Sequence, residues 1–170
     1  KYTEANFIVV HLGGGISVGA HRQGRVVDVN NALDGDGPFS PERSGGVPIG
    51  DLLKVAFANE YTHLEMKKLI KGNGGVVGYL GTNDMIYVQE QIDKHNNKEY
   101  EFIFKGMAYQ VAKEIGQCAA VLCGKIDAIC ITGGIANYDK MNQWISDHVG
   151  WMAPVMIFPG EEEMKALAFG

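Results

Sequence analysis

Residues 11–50 hold most of the groups able to do chemistry: HLGGGISVGAHRQGRVVDVNNALDGDGPFSPERSGGVPIG. The apolar run Phe7, Ile8, Val9, Val10 delivers the chain into His11, Leu12 and three consecutive glycines, Gly13, Gly14 and Gly15. Glycines after a strand let backbone N–H groups turn toward an anion with no Cβ in the way. An alternating segment, residues 17–20, then reaches the turn Arg22-Gln23-Gly24-Arg25, and a third apolar segment follows at once. Two strands joined by a tight turn behind a glycine loop read as a phosphate-holding hairpin, which points to a nucleotide-dependent enzyme. Two side chains there suit phosphoryl transfer. His11, at a strand end, can donate to a phosphoryl group in transit. Arg43, between Pro41 and Gly45, offers a planar fork to carboxylate or phosphate, which lysine would not. Taken singly, a strand-end histidine is more often a core residue and a loop arginine a surface one; for His11 the neighbouring glycines favour function.

Other residues are weaker candidates. Gly133, Gly134 and Ile135 follow an apolar strand and precede a helical pattern, as in any strand-to-helix turn. Glu161, Glu162 and Glu163 open a helical pattern, where acidic residues favour the positive helix end. Cys118, Cys123 and Cys130 lack metal-ligand spacing and fit a reducing compartment; the first two fall in an apolar helical pattern and read as core. His21, His63, His95 and His148 share no spacing and read as exposed. Lys67, Lys68 and Lys71 read as a solvated helix face.

Positioning these groups requires strands over residues 6–11, 16–22 and 25–30, then a long aperiodic loop over 32–48, a length that is often functional. Helices are expected over 49–59, 64–70, 82–94 (N-capped by Thr82 or Asn83), 102–123 and 141–148. Strands are expected over 128–131 and 155–158, and a last helix over 161–168. The 102–123 helix puts Ile103, Met107, Val111 and Ile115 on one face. A strand meander followed by alternating helices and strands is a mixed α/β layer architecture.

Composition sets the bounds. The chain has 170 residues, 46% hydrophobic and 21% charged, enough for one domain with a core. A formal net charge of −5 argues against a general nucleic-acid surface. No apolar run reaches membrane-spanning length. Glycine is the outlier at 23 residues, clustered at 13–15, 35–37, 45–46, 72–75 and 133–134.

The first block resembles the second phosphate loop of the superfamily of acetate and sugar kinases, heat-shock ATPases and actin. Within it the match is to the acetokinase family, in its butyrate kinase branch. The residues that carry it are His11-Leu12-Gly13-Gly14-Gly15-Ile16-Ser17-Val18, Asp28-Val29-Asn30-Asn31-Ala32-Leu33-Asp34-Gly35 and Gly37-Pro38-Phe39-Ser40-Pro41-Glu42-Arg43-Ser44-Gly45. Further on, Ile131-Thr132-Gly133-Gly134-Ile135-Ala136 resembles the family's adenosine loop, and Pro159-Gly160-Glu161-Glu162-Glu163 its acidic C-terminal segment. Acetate kinases carry asparagine where this chain has Gly14. They also carry an aromatic residue and an arginine where it has Met85 and Ile86.

The resemblance implies a ribonuclease-H-like (actin-like ATPase) domain, a mixed sheet with flanking helices, standing as the C-terminal half of a two-domain kinase whose N-terminal half is absent. It implies ATP-dependent, reversible phosphorylation of butyrate or a short branched acid to an acyl phosphate, in the cytoplasm, by a homo-oligomer. Its site residues are then His11 and Arg43 at the phosphoryl group, Gly13, Gly14, Gly15 and Ser17 at the phosphates, Asp84 at the ribose, Gly133, Gly134, Ile135 and Asn137 at adenosine, and Glu162 for Mg²⁺. The half alone is expected to be inactive. A nucleotide-binding module without catalysis is the alternative, and a chaperone-like ATPase a weaker one, since neither explains the arginine loop.

Overall fold

The computed structural model of the chain describes residues 1–160. Strands β1 (Asn6–Leu12), β2 (Ile16–Arg22), β3 (Arg25–Val29), β4 (Ala128–Gly133) and β5 (Val155–Pro159) form one mixed sheet in the order β3-β2-β1-β4-β5. The first three run as an antiparallel meander. β1, β4 and β5 are parallel, which requires crossover helices between them.

Helix α5 (Lys98–Val121) is the first crossover and the centre of the core. Asn97 caps it, its Oδ1 accepting from the Glu99 and Tyr100 N–H groups at 3.2 and 3.5 Å. The cap thus starts the helix four residues before the expected Phe102. Its face Phe104, Met107, Ala108, Val111, Ala112, Ile115 and Cys118 is buried on β1 and β2. Those strands answer with Ile8, Val10 and Leu12, and with Ile16, Val18 and Ala20. Each large side chain buried in this way contributes about 1.5–3 kcal/mol. Helix α6 (Asp139–Val149), the second crossover, packs on α5 through Met141, Ile145 and Val149.

Between β3 and α5 lie α1 (Ile49–Phe57), α2 (His63–Ile70), α3 (Gly75–Leu80) and α4 (Met85–Asp93). Helix α2 starts at a reciprocal capping box between Thr62 and Glu65. Helix α1 is amphipathic as expected but buries no residue: Ile49 and Phe57 are 74% and 78% exposed. Helix α3 was not expected; it opens and closes on glycine and carries Gly78 within. The cap of α4 is Asp84, whose Oδ1 accepts from the N–H groups of Ile86 and Tyr87 at 3.0 Å, and not Thr82 or Asn83. Cys118 is core, its thiol pushed up to about 11 by burial. Cys123 lies past the end of α5, exposed at φ 54°, so the apolar pattern did not bury it. His63, His95 and His148 are exposed; His21 is half-buried against Tyr2, whose hydroxyl lies 2.8 Å from Nδ1. No helix among the described residues is long and apolar enough to cross a membrane.

Candidate active site

Three parallel strands run out side by side into glycine: Gly13 follows β1, Gly133 ends β4 and Gly160 follows β5. Such a carboxyl edge is where open α/β sheets leave a crevice. Register puts His11 opposite Ser17 on one side and Thr132 on the other. With Ile8, Val10 and Leu12 committed to the α5 face, alternation turns His11 and its two partners to the other face.

The glycine turn is shaped by what lies on it. The imidazole of His11 folds onto Gly13, where a Cβ would stand 2.8 Å from Nε2. The guanidinium of Arg43 lies against Gly15, where a Cβ would overlap Nη1 and Cζ. The turn is closed by the Gly13 N–H, which donates to the Gly15 carbonyl at 3.1 Å. Two side chains suited to phosphoryl transfer thus stand on one three-residue turn.

The loop carrying Arg43 is tied at both ends. Buried Asn30 accepts from the Val18 N–H at 2.7 Å and donates to the carbonyls of Ile16 and Asp36 at 3.1 and 3.2 Å, fastening the loop to β2. Asp34 and Asp36 organise its first turn by accepting from Asn31, each at 2.9 Å. Fully buried Ser40 donates through its hydroxyl to the Gly14 carbonyl at 2.8 Å. That carbonyl also accepts from the Glu42 N–H at 3.4 Å. The two polar groups of a trans peptide point in opposite directions, so the Gly15 N–H faces away from this loop. Arg43 Nη1 donates to the Ala32 carbonyl at 3.1 Å, which aims the guanidinium.

Helix α3 is the seat of this loop. The Val76 and Val77 N–H groups, free at a helix start, donate to the carbonyls of Ser40 and Pro41, each at 3.0 Å. Gly75 holds φ +61°, and a Cβ there would stand 2.5 Å from the Arg43 carbonyl oxygen. Gly74 and Gly75 leave room for the backbone of residues 40–44, which carries Arg43.

An open cleft of 360 Å³ gathers Gly13, Gly14, Asp84, Gly134 and Ile135, within the range of ligand sites. Glu42, Asn83, Met85, Ile86 and Gln89 also line it. Sequence reasoning missed Glu42, Asn83 and Gln89; Glu42 adjoins Arg43 and Asn83 adjoins Asp84, which is the signal that was there. Gly133 does not line the cleft; it is buried, and a Cβ there would overlap the backbone of Leu12. Ser17 stands beside His11 on β2. Asn137 lies elsewhere: its Nδ2 donates to the Gly134 carbonyl at 2.9 Å, and it lines a separate 520 Å³ cavity with Asn142 and Pro159. Glu162 lies outside the described residues. Among those described, no group of three or more His, Cys, Asp or Glu side chains comes together to hold a metal.

A model of the acetokinase family matches residues 1–152. A probable butyrate kinase of Listeria monocytogenes serotype 4a (strain HCC23) is 54% identical over 169 residues, 99% of this chain and 47% of that protein. The crystal structure of Porphyromonas gingivalis acetate kinase superposes with a TM-score of 0.88 at 22% identity, covering 99% of this chain and 49% of that one. That of a propionate kinase from Francisella tularensis subsp. tularensis SCHU S4 gives 0.81 at 23% identity, over 94% and 47%. These structures carry the fold alone, the actin-like ATPase fold implied by the phosphate-loop motif. The chain spans about half the length of the curated relative it matches. With the family match running from the first strand through the second crossover helix, the chain belongs to the acetokinase family.

Proposed function

We propose that this chain is the nucleotide-binding half of a two-domain carboxylate kinase that phosphorylates butyrate or a short branched acid with ATP. The observation that carries the reading is the pairing of His11 and Arg43 on one glycine turn. A carboxylate oxygen attacks the γ-phosphorus in line; the new O–P bond forms as the bond to the ADP oxygen breaks. His11 and Arg43 donate to the equatorial oxygens as charge spreads over them. The residue 13–15 turn receives the leaving diphosphate through backbone N–H groups, with Ser17 beside it. Gly134, Ile135 and Asp84 border the space for adenosine, with Asn137 holding the turn of Gly134. No protein nucleophile is needed, and the reverse direction makes ATP from acyl phosphate and ADP. Mg²⁺, for which Glu162 is the expected ligand, would supply charge neutralisation on the phosphates. Closure of the other half over the cleft would exclude water. We place the protein in the cytoplasm, as a homo-oligomer.

The test is made on the longer protein that carries this chain. Butyrate-dependent ADP release, with the acyl phosphate trapped by hydroxylamine, is the expected result. His11→Ala and Arg43→Ala should each lower kcat by about 10²–10³-fold, as loss of one transition-state donor does. ATP hydrolysis with no trapped hydroxamate would overturn the reading.

A further inference from the structure

Glu42 has no part in the transfer just described, yet it touches two other segments of the cleft, at Gly14 and Asn83, and is tied to Gly72 outside it. Its N–H donates to the Gly14 carbonyl at 3.4 Å, and its carbonyl accepts from the Gly72 N–H at 2.7 Å. Its carboxylate reaches across to the loop before α4, where Oε1 accepts from Asn83 Nδ2 at 2.5 Å. Oε2 stands 4.0 Å from where a Cβ on Gly14 would lie. Asn83 directly precedes Asp84, the α4 cap that borders the cleft.

A half-buried carboxylate lining a cleft built for a diphosphate would repel its ligand if it were left free. Here a side-chain amide takes up one of its oxygens. The backbone bonds of Glu42 hold it between the glycine turn and Gly72, so the carboxylate–amide bond transmits that position to residues 81–84.

We infer that Glu42 is a positioning residue: by holding Asn83 it fixes residues 81–84 against the glycine turn and sets the width of the cleft. The inference rests on the cleft being the nucleotide site. It predicts that the occupied cleft needs an acceptor at position 42, with or without charge.

The experiment compares the wild-type chain with Glu42→Ala, Glu42→Gln, Asn83→Ala and the double alanine variant. Two readouts are taken: amide hydrogen exchange of residues 81–84 without ligand, and calorimetric titration with MgADP. Glu42→Ala should speed exchange across 81–84 and weaken MgADP about tenfold, the effect of one hydrogen bond to a charged group. Glu42→Gln should stay within about threefold of wild type. Asn83→Ala should match Glu42→Ala, and the double variant should be no worse than either, since one shared bond is lost once. Unchanged exchange in Glu42→Ala would overturn the inference, as would losses that multiply in the double variant. A folded wild-type chain that binds no MgADP would sink the nucleotide reading, while the exchange arm still decides whether Glu42 holds residues 81–84.

Discussion

Two glycine turns end adjacent parallel strands, and they use glycine for different reasons. At the end of β1, Gly13 and Gly15 make room for side chains, His11 and Arg43. At the end of β4, Gly133 makes room for backbone: it holds φ 98° and ψ 172°, and a Cβ would overlap the Leu12 carbonyl. The first turn is shaped by the groups proposed to do chemistry, the second by the sheet beneath it. Substitutions should therefore separate function from stability along one edge of one sheet.

The largest effect belongs to Gly133→Ala. That backbone region is essentially confined to glycine, at about 1–3 kcal/mol for another residue, and the overlap with Leu12 adds overpacking of similar size. The urea midpoint should fall by an amount equal to about 3 kcal/mol or more; an unshifted midpoint would remove the distinction between the turns. Gly15→Ala comes next. Its methyl meets the far end of a flexible side chain, so stability should change by less than about 1.5 kcal/mol. MgADP binding or phosphoryl transfer should drop at least tenfold as Arg43 is displaced, and retained function would show that Arg43 need not lie there. Gly13→Ala should act in the same sense through His11 but more weakly, since the ring has only to swing back from a 2.8 Å approach. A fall in kcat with little change in nucleotide affinity is the expected pattern. Smallest is Gly134→Ala: nothing lies within 4 Å of its Cβ position, and thermal unfolding should stay within about 0.5 kcal/mol of wild type.

The sequence was readable wherever a residue's neighbours decide its role. Alternation in β1 and β2 and the apolar stripe of α5 gave elements close to their true bounds, because both patterns report the same buried face. The turn residues Gly13, Gly14, Gly134 and Ile135 come together with Asp84 because the strand order brings their strand ends to one edge. What escaped depends on distant contacts. Helix α3 is too short and glycine-rich to show a period; its start is set by carbonyls of Ser40 and Pro41, more than thirty residues away. Helix α1 shows the reverse failure: its pattern is amphipathic, but amphipathicity names a helix and not its partner, and here the face stays exposed. The pairing of Glu42 with Asn83 crosses 41 positions and leaves no spacing to read.

Nucleotide binding at the residue 13–15 turn underlies every role proposed for this edge of the sheet. Calorimetric titration of the wild-type chain with MgADP, beside Gly15→Ala and a urea melt of each, tests it. The prediction is saturable one-site binding by the wild-type chain, weakened at least tenfold in Gly15→Ala, with both chains cooperatively folded. Absence of binding by a wild-type chain that melts cooperatively, or equal affinity in the two chains, would contradict it.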